Sequence, residues 1–175
     1  MSVATAASTW CTAFEKDRDW FVLHDVPQPL SGKTFESGDG QACRFSDLAG
    51  KPLPVHFRGS WCPPCLEELP SINRLQGLLW NEGLLAVPLS RYSGDPDKAR
   101  EIYRQLEIGF LPIFTGRPGG LAQEARVANV PVTLFVRSDG REIGRLFGSV
   151  EWASPGMLEQ VRAGQLAYPV APPSF

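Results

Sequence analysis

Two cysteines spaced three residues apart constrain this chain more than any other feature of its sequence. Cys62 and Cys65 lie in the string WCPPC, directly after a short apolar run and directly before a helical pattern. A cysteine at the start of a helix faces unpaired backbone N–H groups and the positive end of the helix dipole, and both favour the thiolate. Because a thiolate attacks disulfides and a second cysteine one turn later can displace the product, the spacing predicts a redox centre.

A metal site is the main alternative for this pair. A CxxC can supply half of a zinc site, which needs two more Cys or His ligands. No second close pair exists among the remaining candidates, which are Cys11, Cys43, His24 and His56. The sequence therefore favours redox chemistry, with no metal and no organic cofactor. Copper handling through Cu(I) bound by Cys62 and Cys65 stays open, although only two Met residues and no His-rich tract accompany them.

Length and composition favour one globular domain. The chain has 175 residues, 43% of them hydrophobic, and its net charge of −2 gives no indication of a nucleic-acid surface. We expect an N-terminal segment over residues 1–20, the domain over 21–165 and a flexible tail over 166–175.

The sequence leaves two cellular compartments open. No stretch approaches the roughly 20 apolar residues of a membrane-spanning helix. The first twenty residues lack a basic start followed by an apolar stretch, so they do not read as a signal peptide. The protein is then either cytoplasmic or an exported domain whose targeting segment is absent from this sequence.

Hydrophobic periodicity predicts an α/β domain with a mixed sheet and helices on both faces. Residues 8–21 could form a short helix, and turn-rich sequence between Phe21 and Leu48 holds two strand-like pieces, which we interpret as an N-terminal β-hairpin extension. The predicted strands are 33–36, 42–45, 53–57, 84–89, 110–114, 132–137 and 142–147, and the predicted helices are 62–82, 95–107, 119–128 and 154–162. The buried face of the first long helix is expected to carry Leu66, Leu69, Ile72, Leu75, Leu78 and Leu79.

Several phrases resemble one family. The strings WCPPC after a buried strand and VPVT before another resemble the two active-site loops of the thioredoxin fold. The longer WCPPCLEELP, the leading hairpin, FSDLAGKPLPVHF, SDGREIGRLFG and the EWAS near the end resemble the TlpA/ResA-like reductases of the bacterial cell envelope. The similarity covers about residues 25–163 and implies a thioredoxin-like fold.

The resemblance also implies roles. Cys62 matches the exposed attacking cysteine and Cys65 the buried resolving one. Glu68 matches a buried glutamate that handles a proton beside the cysteines, although on spacing alone it would be a solvated carboxylate like Glu67. Pro131 matches a cis-proline that faces the disulfide. Substrate would bind along the loops that contain Trp61, Pro63, Pro64, Val130 and Pro131.

Two residues before the motif depart from the family pattern. His56 stands where thioredoxins carry a buried Asp and TlpA-like proteins often carry Asn. It could relay a proton near neutral pH, or it could be a hydrogen-bonded core histidine. Arg58 stands where the residue is usually apolar or aromatic. If it points towards the sulfurs it lowers the pKa of Cys62, and if it points to solvent it has no effect.

The other candidates carry less chemistry. Cys11 and Cys43 either form a structural disulfide or stay ordinary buried thiols, and a Cα separation above about 7 Å would exclude the bond. His24, between Leu23 and Asp25, is expected on the surface.

The sequence as a whole predicts a thiol–disulfide oxidoreductase. We expect a monomer that acts as a reductant on protein disulfides in the periplasm or cell envelope. Its electrons would come from another thiol protein. Pro63 and Pro64 place no charge between the cysteines, which argues against a strong oxidant.

Overall fold

The structure is a computed structural model that describes residues 21–30, 34–48, 53–91, 95–117 and 120–162. The strands are β1 (Phe21–Pro29), β2 (Phe35–Ser37), β3 (Ala42–Cys43), β4 (Leu53–Arg58), β5 (Val87–Ser90), β6 (Phe114–Thr115), β7 (Val132–Val136) and β8 (Arg141–Phe147). The helices are α1 (Pro63–Leu79), α2 (Pro96–Gln105), α3 (Leu121–Glu124) and α4 (Pro155–Arg162), with 3-10 turns at Phe45–Leu48 and Trp80–Glu82.

All eight strands form one mixed sheet in the order β1-β8-β7-β4-β5-β6-β2-β3. The central strand β4 pairs parallel with β5 and antiparallel with β7, with His56 opposite Thr133. Every residue of β4 is buried, as expected for a strand covered on both faces. Strand β4 therefore ends in the protein interior, and from there the chain continues into the cysteine motif.

The two faces of the sheet carry separate hydrophobic clusters. Alternate residues of β7 face opposite sides: Leu134 belongs to the cluster beneath the β2–β3 hairpin and α3, whereas Phe135 packs with residues of α1, α2 and Trp152. On β4, Val55 and Phe57 belong to the hairpin side. His56 and Arg58 therefore face the α1 side of the sheet, towards the helix that carries Cys65.

The predicted α/β thioredoxin-like architecture with its hairpin is confirmed, whereas the bounds of several elements differ from the prediction. The hairpin strands are shorter than predicted, and they join the main sheet because β2 pairs with β6. The predicted strand 84–89 begins only at Val87, because the Gln76 side chain bonds to Leu84 O and Ala86 N. The predicted strand 110–114 is confined to Phe114–Thr115, since Asn73 and Tyr103 hold its loop.

Two helix predictions also change. Helix α3 ends after one turn, and Arg126 then adopts a left-handed φ of 52°, so the chain cannot continue the helix predicted to 128. On α1, Leu78 is 52% exposed and not part of the buried face. Except for its last residue, Phe21, which is the first residue of β1, the predicted helix over 8–21 lies outside the described residues, as does Cys11. Among the described residues Cys43 is a free, half-buried thiol, and its pairing with Cys11 stays a prediction.

Strand β1 was not predicted. Because His24 lies on this strand, the prediction that it is a surface residue was wrong. Instead of lying on the surface, the ring is half-buried, and its Nε2 lies 2.7 Å from Oε1 of the buried Glu142 on β8. Arg145 donates two hydrogen bonds to the same carboxylate, at 2.7 and 2.8 Å. This cluster fixes β1 to the edge of the sheet.

None of the helices in the described part of the chain is both long and apolar enough to span a membrane.

Candidate active site

The cysteine pair sits where β4 passes into α1. After Arg58 the chain turns sharply, and the Cys62 N–H donates to Gly59 O at 3.2 Å. Helix α1 begins at Pro63, and Cys62 is its N-cap, with Sγ accepting a hydrogen bond from Cys65 N at 3.3 Å. Pro63 and Pro64 occupy first-turn positions, where their missing N–H groups remove no intrahelical bond. Sγ of Cys62 therefore faces the positive end of the helix.

Cys62 and Cys65 form a disulfide with a Cα separation of 5.3 Å. Cys65 is fully buried, and Cys62 is only 4% exposed, so the expectation of an exposed attacking sulfur is corrected in this oxidised state. The cause is the neighbouring loop, whose Val130 carbonyl oxygen lies 3.7 Å from Cys62 Sγ. Cys62 is still the more exposed of the two residues.

The Val130–Pro131 loop forms the other wall of the site. Its peptide bond is cis, as the resemblance predicted. Gly148 N donates to Pro131 O at 3.0 Å, which ties the loop to the end of β8. On the opposite side, Trp61 is 62% exposed and its ring lies over Gly59, where an added Cβ would come within 2.7 Å of the indole.

A buried carboxyl lies one helical turn beyond the disulfide. Glu68 is 3% exposed, and its Oε1 accepts hydrogen bonds from the Trp152 indole Nε1 and from Val150 N. Its Oε2 has no hydrogen-bond partner and lies 3.8 Å from Nε2 of His56. His56 Nδ1 is 3.0 Å from Thr133 Oγ1.

Burial shifts both titratable groups towards their neutral forms. Desolvation raises the pKa of Glu68 from 4.5 to about 7, against the opposing effect of its hydrogen bonds, the largest being that from Trp152. Desolvation lowers the pKa of His56 from 6.5 to about 3, and the charge of Arg58 adds to this effect. The separation of 3.8 Å would also fit an ion pair, but these directions favour a neutral imidazole beside a carboxyl that titrates near neutral pH.

The Arg58 side chain is buried, and it forms no ion pair with any residue that the structure describes. It is 1% exposed, and its guanidinium carbon lies 5.5 Å from the centre of the Tyr103 ring on α2. Nε and one terminal nitrogen, Nη2, have no hydrogen-bond partner. The side chain therefore places a charge in the layer between β4 and the helices.

Sequence reasoning identified the cysteines, Glu68, His56, Arg58 and the proline loop, and the structure brings all of them to one end of β4. It missed Trp152 as the hydrogen-bond donor to Glu68, although that residue stood in the EWAS phrase used for the resemblance. It also missed Tyr103 and Thr133, which no local motif marks. Within the described ranges, no group of three or more His, Cys, Asp or Glu residues could hold a metal ion.

The chain is similar in sequence to known thiol–disulfide oxidoreductases. No family model matches the chain. It is 26% identical to the thiol:disulfide interchange protein DsbE of Pseudomonas aeruginosa over 139 residues, covering 75% of this chain and 74% of the relative. It is 24% identical to the thiol-disulfide oxidoreductase ResA of Bacillus thuringiensis over 110 residues, covering 63% of this chain. It spans only 62% of the length of that ResA protein.

Two further matches are an uncharacterised relative and a solved structure. An uncharacterised protein of Haemophilus influenzae is 31% identical over 104 residues, covering 58% of this chain and 67% of that protein. A solved structure from Chlorobium tepidum, described as a putative thiol:disulfide interchange protein DsbE, aligns with a TM-score of 0.62 at 20% identity, covering 82% of this chain and 96% of the other. At that identity the structural match supports the fold alone.

Proposed function

Because the chain belongs to the thioredoxin-fold thiol–disulfide oxidoreductases of the TlpA/ResA-like type, we propose that it exchanges its Cys62–Cys65 couple with protein disulfides. The observation that carries the proposal is the position of Cys62. Its sulfur caps the first turn of α1 and is bonded to a fully buried Cys65. A thiolate at that position is stabilised by the helix N-terminus and is the attacking group in disulfide exchange.

The exchange takes two steps that balance in atoms and electrons. The Cys62 thiolate attacks one sulfur of a substrate disulfide, and the other substrate sulfur leaves as a thiolate that takes a proton from water. Cys65 then loses its proton and attacks Cys62 Sγ, which releases the second substrate sulfur. Two electrons pass to the substrate, and the protein is left with the intramolecular disulfide seen in the structure.

Glu68 is the proposed acceptor of the Cys65 proton. The two residues are three positions apart on α1, so their side chains lie on the same face of the helix. A carboxyl with a pKa of about 7 is ionised in part of the population at neutral pH and can take up a proton there. His56, kept neutral by burial, presents Nε2 to the other side of the carboxyl as a relay.

The substrate is proposed to bind between the two loops that flank the disulfide. Trp61 offers an exposed aromatic surface, and Pro63 and Pro64 form the exposed rim of α1. Val130 and Pro131 supply backbone beside Cys62 Sγ. An extended segment added along that backbone would gain main-chain hydrogen bonds with little side-chain selectivity, which suits unfolded or flexible clients.

We propose that the protein reduces its substrates and that it does so in the periplasm or cell envelope. The absence of any charge between the cysteines favours a reductant, supplied with electrons by another thiol protein. The similarity to ResA and DsbE favours the periplasm or cell envelope, with the protein acting as a monomer.

The test is capture of a substrate by single-cysteine variants. Cys65→Ser should accumulate a mixed disulfide through Cys62 with a model disulfide-containing peptide, whereas Cys62→Ser should not, because the remaining thiol is buried. In the reduced wild type, mildly acidic alkylation should label Cys62 first. Preferential labelling of Cys65, or no exchange with glutathione disulfide by the wild type, would contradict the proposal.

A further inference from the structure

The buried layer behind the disulfide contains an unusual set of unpaired polar atoms. Among the described residues, four buried side-chain nitrogen or oxygen atoms have no hydrogen-bond partner: Nε2 of His56, Nε and Nη2 of Arg58, and Oε2 of Glu68. Buried polar groups are normally paired, and an unpaired one calls for an explanation. All four belong to residues on the α1 side of β4 or on α1 itself.

Arg58 differs from the other two because its charge cannot be removed by losing a proton. Guanidinium groups stay protonated in proteins, whereas the pKa shifts of His56 and Glu68 both favour their neutral forms. Within the described ranges no carboxylate forms an ion pair with Arg58, which contacts Tyr103 through a hydrogen bond to its side chain and through the ring, whose centre lies 5.5 Å from the guanidinium carbon. A ring face compensates a buried cation only in part.

The cysteine pair is the nearest group along the chain that can become negative. Arg58 is four residues before Cys62, so their Cα atoms are at most about 14 Å apart, and the bond from Cys62 N to Gly59 O shortens that path. The titratable and charged groups of this layer are His56 and Arg58 from β4, Cys65 and Glu68 from α1, and Tyr103 from α2.

We propose that Arg58 is a positioning residue for the redox couple, whose buried guanidinium, with no anionic partner among the described residues, stabilises the negative charge that reduction places on Cys62 and so favours the reduced form. The disulfide is uncharged, whereas the thiolate carries a negative charge that the guanidinium stabilises. A buried charge interacts over several ångströms with little screening. The inference rests on the proposed exchange function and assigns one residue that tunes it.

The same charge adds to the effect of burial on which group of the layer can hold a proton. Desolvation is the main cause that lowers the pKa of His56, and the guanidinium of Arg58, on the same face of β4, opposes a positive charge on the imidazole as well. The proton given up by Cys65 therefore goes to Glu68 and not to His56. Arg58 thus influences both the thiolate and the route of the proton.

The reaction to measure is the equilibrium with glutathione. Two glutathione thiols reduce the Cys62–Cys65 disulfide, giving the protein dithiol and one glutathione disulfide, with two electrons transferred. Arg58→Met keeps an apolar stem of similar length without the charge. We expect its equilibrium constant for reduction to fall about tenfold, which corresponds to a potential about 30 mV more negative. The midpoint for Cys62 alkylation should rise by about one pH unit.

Rescue and a matched control separate charge from packing. Arg58→Lys should keep the wild-type potential and alkylation midpoint, and Arg104→Met, which removes an exposed arginine from α2, should change neither. If Arg58→Met does not fold, Arg58→Gln takes its place as a neutral side chain that can still donate hydrogen bonds. A folded neutral variant with the wild-type potential and midpoint would overturn the inference.

The proposed function has its own, separate outcome. A wild type that does not equilibrate with glutathione would refute the exchange function itself. A wild type that exchanges with glutathione, but whose folded Arg58→Met variant keeps the wild-type potential and alkylation midpoint, would leave the function intact and overturn the role of Arg58 alone.

Discussion

The Glu68→Gln variant should be about as stable as the wild type near pH 5 and more stable than the wild type above pH 8. The wild-type carboxyl is 3% exposed, and burial raises its pKa from 4.5 to about 7. A carboxyl whose pKa is raised on folding stabilises the folded state below its unfolded pKa, and this stabilisation is lost as the pH rises through the folded value. At about 1.4 kcal/mol per pKa unit, the full effect is about 3 kcal/mol.

Most of that change falls within an accessible pH range. Between pH 5 and pH 8.5, the free energy of unfolding of Glu68→Gln relative to wild type should rise by about 2.5 kcal/mol. The neutral amide keeps an oxygen to accept from Trp152 and Val150, so the two proteins should have similar stability near pH 5. Above pH 8 the variant should be the more stable one, because only the wild type holds a buried carboxylate.

Because His56 also titrates, the difference in unfolding free energy between wild type and Glu68→Gln is more informative than the pH curve of either protein alone. Its pKa is lowered to about 3, so its contribution to stability is complete above pH 6.5 and is lost as the pH falls. In the wild type this trend partly cancels that of Glu68 between pH 4.5 and 6.5. In Glu68→Gln only the contribution of His56 remains, so the variant should lose stability as the pH falls below 6.5.

The assay is urea unfolding of the oxidised proteins at pH 5, 6, 7 and 8.5. Glu67→Gln is the matched control, because Glu67 is the exposed neighbour on α1 and should give a curve parallel to that of the wild type. If the curves of Glu68→Gln and wild type were also parallel, Glu68 would have an ordinary pKa, and its proposed role as proton acceptor would lose its basis.

Two other contacts allow shorter predictions. Trp152→Phe removes the indole donor to Glu68, so carboxyl titration by NMR should show the pKa of Glu68 rising further, and the free energy of unfolding should fall by about 2 kcal/mol. Glu142→Gln removes the carboxylate shared by Arg145 and His24, so the free energy of unfolding should fall by about 2 kcal/mol and amide exchange in β1 should become faster than in β7.

Each of these predictions has a surface control. Trp80→Phe changes an indole that is 59% exposed and should leave the Glu68 titration unaltered. Glu101→Gln breaks an exposed pair on α2 and should leave the free energy of unfolding nearly unchanged. An unchanged Glu68 pKa in Trp152→Phe, or full protection of β1 in Glu142→Gln, would contradict the contacts that we assign.

Local signals in the sequence predicted those parts of the fold that local physics determines. Asp95-Pro96 marked the start of α2, and the structure shows Asp95 accepting from Asp97 N at 2.9 Å. The sequence SDG at 138–140 marked the β7–β8 turn, where Gly140 adopts a φ of 80°. The cysteine motif predicted both the strand before it and the helix after it, because its chemistry requires that junction.

Features held by distant partners could not be predicted in this way. Strand β1 shows no alternation, since Val22, Leu23 and Val26 are all exposed, and it exists because it pairs with β8. His24 looked like a surface residue because its carboxylate partner is 118 residues away. Glu68 has the same spacing as a solvated helix residue, and its burial depends on Trp152, 84 residues later.

The two departures from the family pattern, His56 and Arg58, make sense only when taken together. Burial is the main cause that lowers the pKa of His56, and the charge of Arg58 on the same face of β4 adds to it, because a second buried cation there would be costly. Together they keep the imidazole neutral and leave Glu68 as the acceptor for the Cys65 proton. In the role that we propose for Arg58, the same permanent charge favours a negative charge on the Cys62 sulfur.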